Sequence, residues 1–137
     1  VYKRQVEHEW NGEQIGVVYC DITGLKKVND EQGHEAGDRL IIRACECLAG
    51  VFKGYGLYRI GGDEFLVLCL GIEEKDLREH VEKLHMDMKE HQVTMAVGMI
   101  WKEHGPKDID LLLNESERLM YEDKDRYYKE HGLKRRR

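Results

Sequence analysis

The sequence predicts an α+β domain whose elements follow the order β-α-β-β-α-β, with one further helix at the end. Three observations carry this. Short apolar and β-branched runs at 15–20, 65–70 and 93–101 have strand length and composition. Two longer segments, 36–52 and 73–91, repeat apolar residues at helical spacing. Gly61-Gly62 then splits an apolar stretch into a hairpin, with strands expected over 57–60 and 65–70.

Taken in order, the first ten residues read as the end of a helix, and Asn11-Gly12 as a turn. Ile15 to Cys20 reads as a buried strand closed by Asp21. Leu25 to Glu31 is a short helix, followed by a turn at Gly33. In the next helix Leu40, Ile41, Ala44, Cys45, Leu48 and Phe52 share a face, and Gly54 and Gly56 end it. The helix over 73–91 carries Leu77, Val81, Leu84 and Met88 on one stripe. Val93 to Trp101 is a strand, Gly105-Pro106 a loop, and 108–131 a final helix with Ile109, Leu112, Leu113 and Met120 among its apolar positions. Trp10 and Trp101 read as packing groups, and His34 as a turn or packing residue. This order is that of a ferredoxin-like core, in which helices pack on one face and the first and third strands lie together at the centre of the sheet. Asp21 and the Asp63-Glu64 pair, about forty positions apart, should therefore converge.

Composition narrows the function. The chain has 137 residues, 41% of them hydrophobic, which suits one domain with a core. A formal charge of −5 disfavours a nucleic-acid partner, and the basic Lys134 to Arg137 tail reads as a solvated end. No apolar run approaches membrane-spanning length, so no membrane contact is expected of this domain. Cys20, Cys45, Cys47 and Cys69 form no C-x-x-C pair, which suits reduced thiols and a cytoplasmic setting. The seven histidines form no metal-binding pair.

The chemistry is concentrated in two stretches. In Arg59-Ile60-Gly61-Gly62-Asp63-Glu64-Phe65, two glycines should let the backbone turn sharply and let a bulky group approach, and two acids follow at once. Three carboxylates at one strand edge repel one another unless a cation lies between them. Oxygen donors without His or Cys suit Mg²⁺ or Mn²⁺, and such ions leave positions open for phosphates. Two ions could align an attacking hydroxyl with a phosphorus. The second stretch runs from Asp21 to Asp38. Lys26 offers a point charge for phosphate, and Asn29 both a donor and an acceptor. Asp38 can accept from the N1–H and N2–H₂ of guanine, donors that adenine lacks. The plainer alternatives are a capping role for Asp38, a solvated Lys26, and a Lys124 paired with Glu117 or Asp123.

These stretches resemble the GGDEF domain, the diguanylate cyclase family. Asp21 through Asp38 is similar to the family's D-x-x-x-(F/L)-K-x-(I/V)-N-D…G-H-x-A-G-D, and Gly61 to Phe65 is its signature. Thr94-Met95-Ala96-Val97-Gly98 resembles its T-x-S-x-G strand, and Met120 to Lys124 its (L/M)-Y-x-x-K helix. The resemblance implies a nucleotide-cyclase or palm-like version of the ferredoxin-like core and a single GGDEF-type domain over 1–137. It implies condensation of two GTP into cyclic di-GMP, a bacterial second messenger, across a homodimer, with release of two pyrophosphates. It assigns Asp21, the Ile22 carbonyl, Asp63 and Glu64 to the metal, with Glu64 or Asp63 helping to deprotonate the 3′-hydroxyl. Gly61 and Gly62 would face the nucleotide, Asn29 and Asp38 would read guanine, and Lys26 and Lys124 would hold phosphates.

Three departures qualify the resemblance. The family's L-T-G-L-x-N-R segment is missing ahead of the first elements, so the chain reads as a fragment, and a sensor domain is expected upstream. The R-x-x-D of product-inhibited members falls on Phe52 and Tyr55, so feedback at that site is not expected. The arginine that often follows the last-helix lysine by four residues is Tyr128 here, with Arg126 as a candidate substitute. Other functions fit less well. A GTP or cyclic di-GMP sensor need not keep three costly acids. An RNA-binding module of this fold needs a basic face with exposed aromatics. An ATP cyclase conflicts with Asp38.

Overall fold

The computed structural model describes residues 12–105 and 108–132. The expected features at 1–11, Pro106 and the basic tail lie outside the described residues, as does Trp10. The elements are β1 (Ile15–Ile22), α1 (Leu25–Gln32), α2 (His34–Val51), β2 (Gly56–Arg59), β3 (Glu64–Leu70), α3 (Glu74–Glu90), β4 (Met95–Lys102) and α4 (Ile109–Glu130). The sheet order is β2-β3-β1-β4, with every neighbouring pair antiparallel. This is the ferredoxin-like arrangement with an added C-terminal helix, and β1 and β3 share the centre.

All eight residues of β1 are buried, because both faces of the sheet are covered. Val18, Cys20 and Ile22 point to one face, where Leu40, Ala44, Leu48, Leu77, Leu84 and Met88 of α2 and α3 pack on them. Ile15, Val17 and Tyr19 point to the other, against Leu112, Leu113 and Met120 of α4. The two long core helices thus share a face as expected, and the added helix closes the opposite one. Trp101 packs against the first cluster and donates its indole N–H to the Ile72 carbonyl at 2.8 Å. The four cysteines are unpaired. No helix among the described residues is long and apolar enough to cross a membrane.

Gly98 sets how closely α4 lies on the sheet. A Cβ at Gly98 would run into the Ser116 carbonyl and the Met120 amide, both backbone atoms of α4. Backbone cannot rotate aside as a side chain can, so relief requires moving the helix. Gly98→Ala is expected to destabilise the domain by about 3 kcal/mol. A melting temperature within a degree or two of the parent would show that α4 is not held this tightly.

Candidate active site

β1 and β3 align Asp21 directly opposite Glu64, while β4 sets Ala96 on its other side. Residues two apart in a strand share a face, so Tyr19 and Asp21 both look toward α4. Glu64 lies on that same face, and Asp63 joins it from the turn: the two acids each raise the proton affinity of Asp21. The Ile22 amide donates to the Asp63 carbonyl at 2.8 Å, which ties the turn to the end of β1. The reciprocal bond, from the Asp63 amide to the Ile22 carbonyl, is not made among the described residues. The expected convergence of Asp21, Ile22, Asp63 and Glu64 is therefore present.

Asp21 is only 3% exposed. Its carboxyl is pushed up from 3.8 to about 6, first by burial and next by Asp63, with Lys124 opposing. The Lys124 ammonium reaches Asp21 Oδ2 at 3.3 Å from α4, across a span that buries both side chains. Asp21 Oδ1 is buried with no hydrogen-bond partner. Glu64 is also raised above the usual carboxylate range, by burial first, then by Asp63 and Glu117.

Lys124 thus takes neither of the local partners open to it in sequence. Glu117 accepts from the Tyr19 hydroxyl at 3.0 Å. Asp123 accepts from the Val97 amide at 2.8 Å and from Arg126 at 3.1 Å. Tyr19 has no role among the sequence expectations and Glu117 only that of a Lys124 partner, yet the two-residue strand period from Asp21 is enough to place Tyr19 beside the acids. Burial raises the Tyr19 phenol well above its ordinary range, so it stays a donor.

The orphaned Asp21 Oδ1 and the all-oxygen donor set fit a hard divalent cation such as Mg²⁺. Among the described residues, no three acidic, histidine or cysteine side chains are already drawn around one ion-sized point. Lys124 instead supplies the positive charge at Asp21.

The second constellation sits at the α1–α2 junction. Gly33, at φ 91°, joins the two helices in a conformation that favours glycine. α2 accordingly begins at His34, ahead of the expected Ala36, so Asp38 falls inside the helix and caps nothing. Asp38 is exposed. The Asn29 side-chain oxygen fills the space that a Cβ on Gly37 would need. Asn29 and Asp38 are thereby brought to one junction, with Lys26 exposed on the same short helix.

The turn itself differs from expectation in one respect. Neither Gly61 nor Gly62 has a positive φ, so sharp turning is not what requires glycine there. A Cβ on Gly62 would meet nothing within 4 Å, which leaves that side open to a ligand. At the R-x-x-D positions, Phe52 is buried in the core and stacks on His80, and Tyr55 meets the same ring edge-on. No charge stands at either position.

The family model described as diguanylate cyclase, GGDEF domain, matches residues 2–129. The chain is 30% identical over 122 residues to the bifunctional diguanylate cyclase/cyclic di-GMP phosphodiesterase MucR of Pseudomonas aeruginosa, covering 82% of this chain and 18% of that protein. It is 30% identical over 121 residues to the diguanylate cyclase DgcP of Escherichia coli, covering 81% of this chain and 36% of that protein. The chain thus spans well under half the length of both relatives. Among solved structures, the active GGEEF domain of a diguanylate cyclase from Vibrio cholerae has a TM-score of 0.75 at 21% identity, covering 91% of this chain and 83% of that one. The GGDEF domain of DgcB from Caulobacter crescentus, in complex with c-di-GMP, has a TM-score of 0.75 at 19% identity, covering 97% of this chain and 82% of that one. At those identities the likeness speaks for the fold. With the family model matched along nearly its whole length, and the acidic turn seated against the end of the central strand, the chain belongs to the GGDEF domain family.

Proposed function

We propose that this chain is the catalytic domain of a diguanylate cyclase, which condenses two GTP into cyclic di-GMP and two pyrophosphates. The observation that carries the reading is the approach of the Asp63-Glu64 turn to a buried, half-unsatisfied Asp21. Family membership supports it. In this reading Asp21, the Ile22 carbonyl, Asp63 and Glu64 hold Mg²⁺ or Mn²⁺. When bound, the metal supplies charge neutralisation at the α-phosphate and eases ionisation of the 3′-hydroxyl. Glu64, with its proton affinity raised by burial, is suited to accept the hydroxyl proton, and Asp63 is the alternative acceptor. A bond forms from the 3′-oxygen to the α-phosphorus of the other GTP. The bond from that phosphorus to the oxygen bridging to the β-phosphate breaks, and pyrophosphate leaves.

Asn29 and Asp38 read the guanine, Lys26 and Lys124 hold phosphates, and Gly61 and Gly62 leave room for the nucleotide against the turn. Each domain presents one GTP, so the reaction needs two copies facing each other. The upstream sensory domain of the parent protein is part of the same proposal; MucR and DgcP are both much longer than the stretch that matches this chain.

Incubation with GTP and Mg²⁺, followed by chromatography, should yield pppGpG and cyclic di-GMP, and Glu64→Ala should yield neither. Absence of product from protein shown to be dimeric would end the cyclase reading. Asp38→Ala should raise KM for GTP about 10- to 100-fold, the cost of losing a charged hydrogen-bond acceptor. An unchanged preference for GTP over ATP in that variant would remove Asp38 from the guanine site.

A further inference from the structure

We infer that Arg59 is a positioning residue that sets the direction of the Gly61-Gly62-Asp63 peptides. Arg59 is the last residue of β2, the edge strand beside β3. Its guanidinium donates from Nε to the Gly61 carbonyl at 3.2 Å and from Nη2 to the Gly62 carbonyl at 2.7 Å. One planar fork therefore holds two consecutive carbonyls, a geometry that a lysine cannot reproduce.

The consequence lies on the other side of the turn. In a trans peptide the N–H points opposite to the C=O, and no cis peptide occurs among the described residues. With the Gly61 and Gly62 carbonyls drawn to Arg59, the amides of Gly62 and Asp63 point away from it. For Asp63 that direction is the β1 side, because its own carbonyl accepts from the Ile22 amide. Neither amide donates to a backbone carbonyl among the described residues. Two unused donors are thus turned away from Arg59, and that of Asp63 faces the edge that Asp21 and Glu64 occupy. Donors so placed suit a phosphate or ribose oxygen. Without the fork, the two peptides are free to rotate, since glycine imposes little of its own.

This inference rests on the cyclase reading for its ligand, and its geometry can be tested apart from it. Arg59→Ala and Arg59→Lys would be compared with the parent by steady-state kinetics and by backbone ¹⁵N relaxation over 61–64. Arg59 is exposed, so the melting temperature should stay within about 2 °C of the parent. Order parameters of the Gly62 and Asp63 amides should fall from the rigid range to about 0.6 or below in Arg59→Ala, and kcat should fall about 10- to 100-fold. Millimolar guanidinium should restore several-fold of the kcat lost by Arg59→Ala and do nothing for the parent. Arg59→Lys, which can make only a point contact, should remain impaired. Unchanged order parameters in Arg59→Ala would overturn the clamp, as would unchanged kcat and KM beside an active parent. If the parent itself made no cyclic di-GMP, the cyclase reading would fall, and the order parameters would still decide the role of Arg59.

Discussion

Asp21→Asn should abolish cyclic di-GMP synthesis, by about 10³-fold or more, while making the metal-free protein more stable. The two effects have one source. The Asp21 carboxyl is pushed from 3.8 to about 6 by burial and by Asp63, in spite of Lys124. The folded state therefore holds that proton more tightly than the unfolded chain does. Above pH 6 the ionised carboxylate opposes folding, by at most about 3 kcal/mol. The opposition shrinks as pH falls from about 6 toward 3.8 and is gone below that. Asparagine keeps the shape and an acceptor for Lys124 and removes the charge. Lys124 is not left without acidic company, because it also acts on Glu64. In EDTA at pH 7.5 the variant should melt several degrees higher than the parent, and at pH 5 the gap should narrow. Calorimetry between pH 4.5 and 8 checks this. A variant that melts lower at pH 7.5 would mean that the attraction of Lys124 outweighs the burial of Asp21.

Such a trade is expected where a binding site is built from groups that fold poorly on their own. It also shows what was legible in the sequence. The unbroken apolar run ending at Asp21 announced a central strand, since only a strand covered on both faces stays apolar on both. The hairpin around Gly61-Gly62 and the convergence of Asp63 and Glu64 on Asp21 followed from element order alone. Boundaries were less legible. β4 was expected from Val93 but begins at Met95, because the Val93 amide still closes the turn onto the Met88 carbonyl after Gln92 at φ 58°. α2 starts two residues early because Gly33 supplies the bend itself.

What stayed hidden were contacts that depend on where α4 docks. Helical periodicity names the buried stripe of a helix and says nothing of which sheet face receives it. Only once Ile109, Leu112, Leu113 and Met120 lie on the Tyr19 side does Lys124 meet Asp21 and Glu117 meet Tyr19. Sequence spacing offers Lys124 its own helix neighbours, which are visible at short range. The long-range partner wins because it is buried and otherwise uncompensated. The Arg59 fork was hidden for a different reason. It depends on carbonyl directions in a glycine turn, which no residue type encodes.

Lys124→Met should be the most destabilising of the single changes considered. The side chains of Lys124 and Asp21 are 11% and 5% exposed, so the methionine would leave a buried carboxylate with neither oxygen compensated. Breaking a buried pair from one side costs about 3–5 kcal/mol. In nucleotide-free protein without metal, the melting temperature should drop by about 10 °C or more. Mn²⁺ alone should then recover part of the loss, and bind about tenfold more tightly than in the parent, because no ammonium has to leave Asp21 first. In the parent the lysine and the cation compete for one carboxylate, so metal alone should stabilise it little. The double variant Asp21→Asn with Lys124→Met should return close to parental stability, since it buries no charge at either position. Titration calorimetry with Mn²⁺ and a thermal melt of the four proteins complete the cycle. Equal Mn²⁺ affinity in the parent and Lys124→Met would mean that Lys124 does not guard the site, leaving phosphate binding as the role to be measured through KM for GTP.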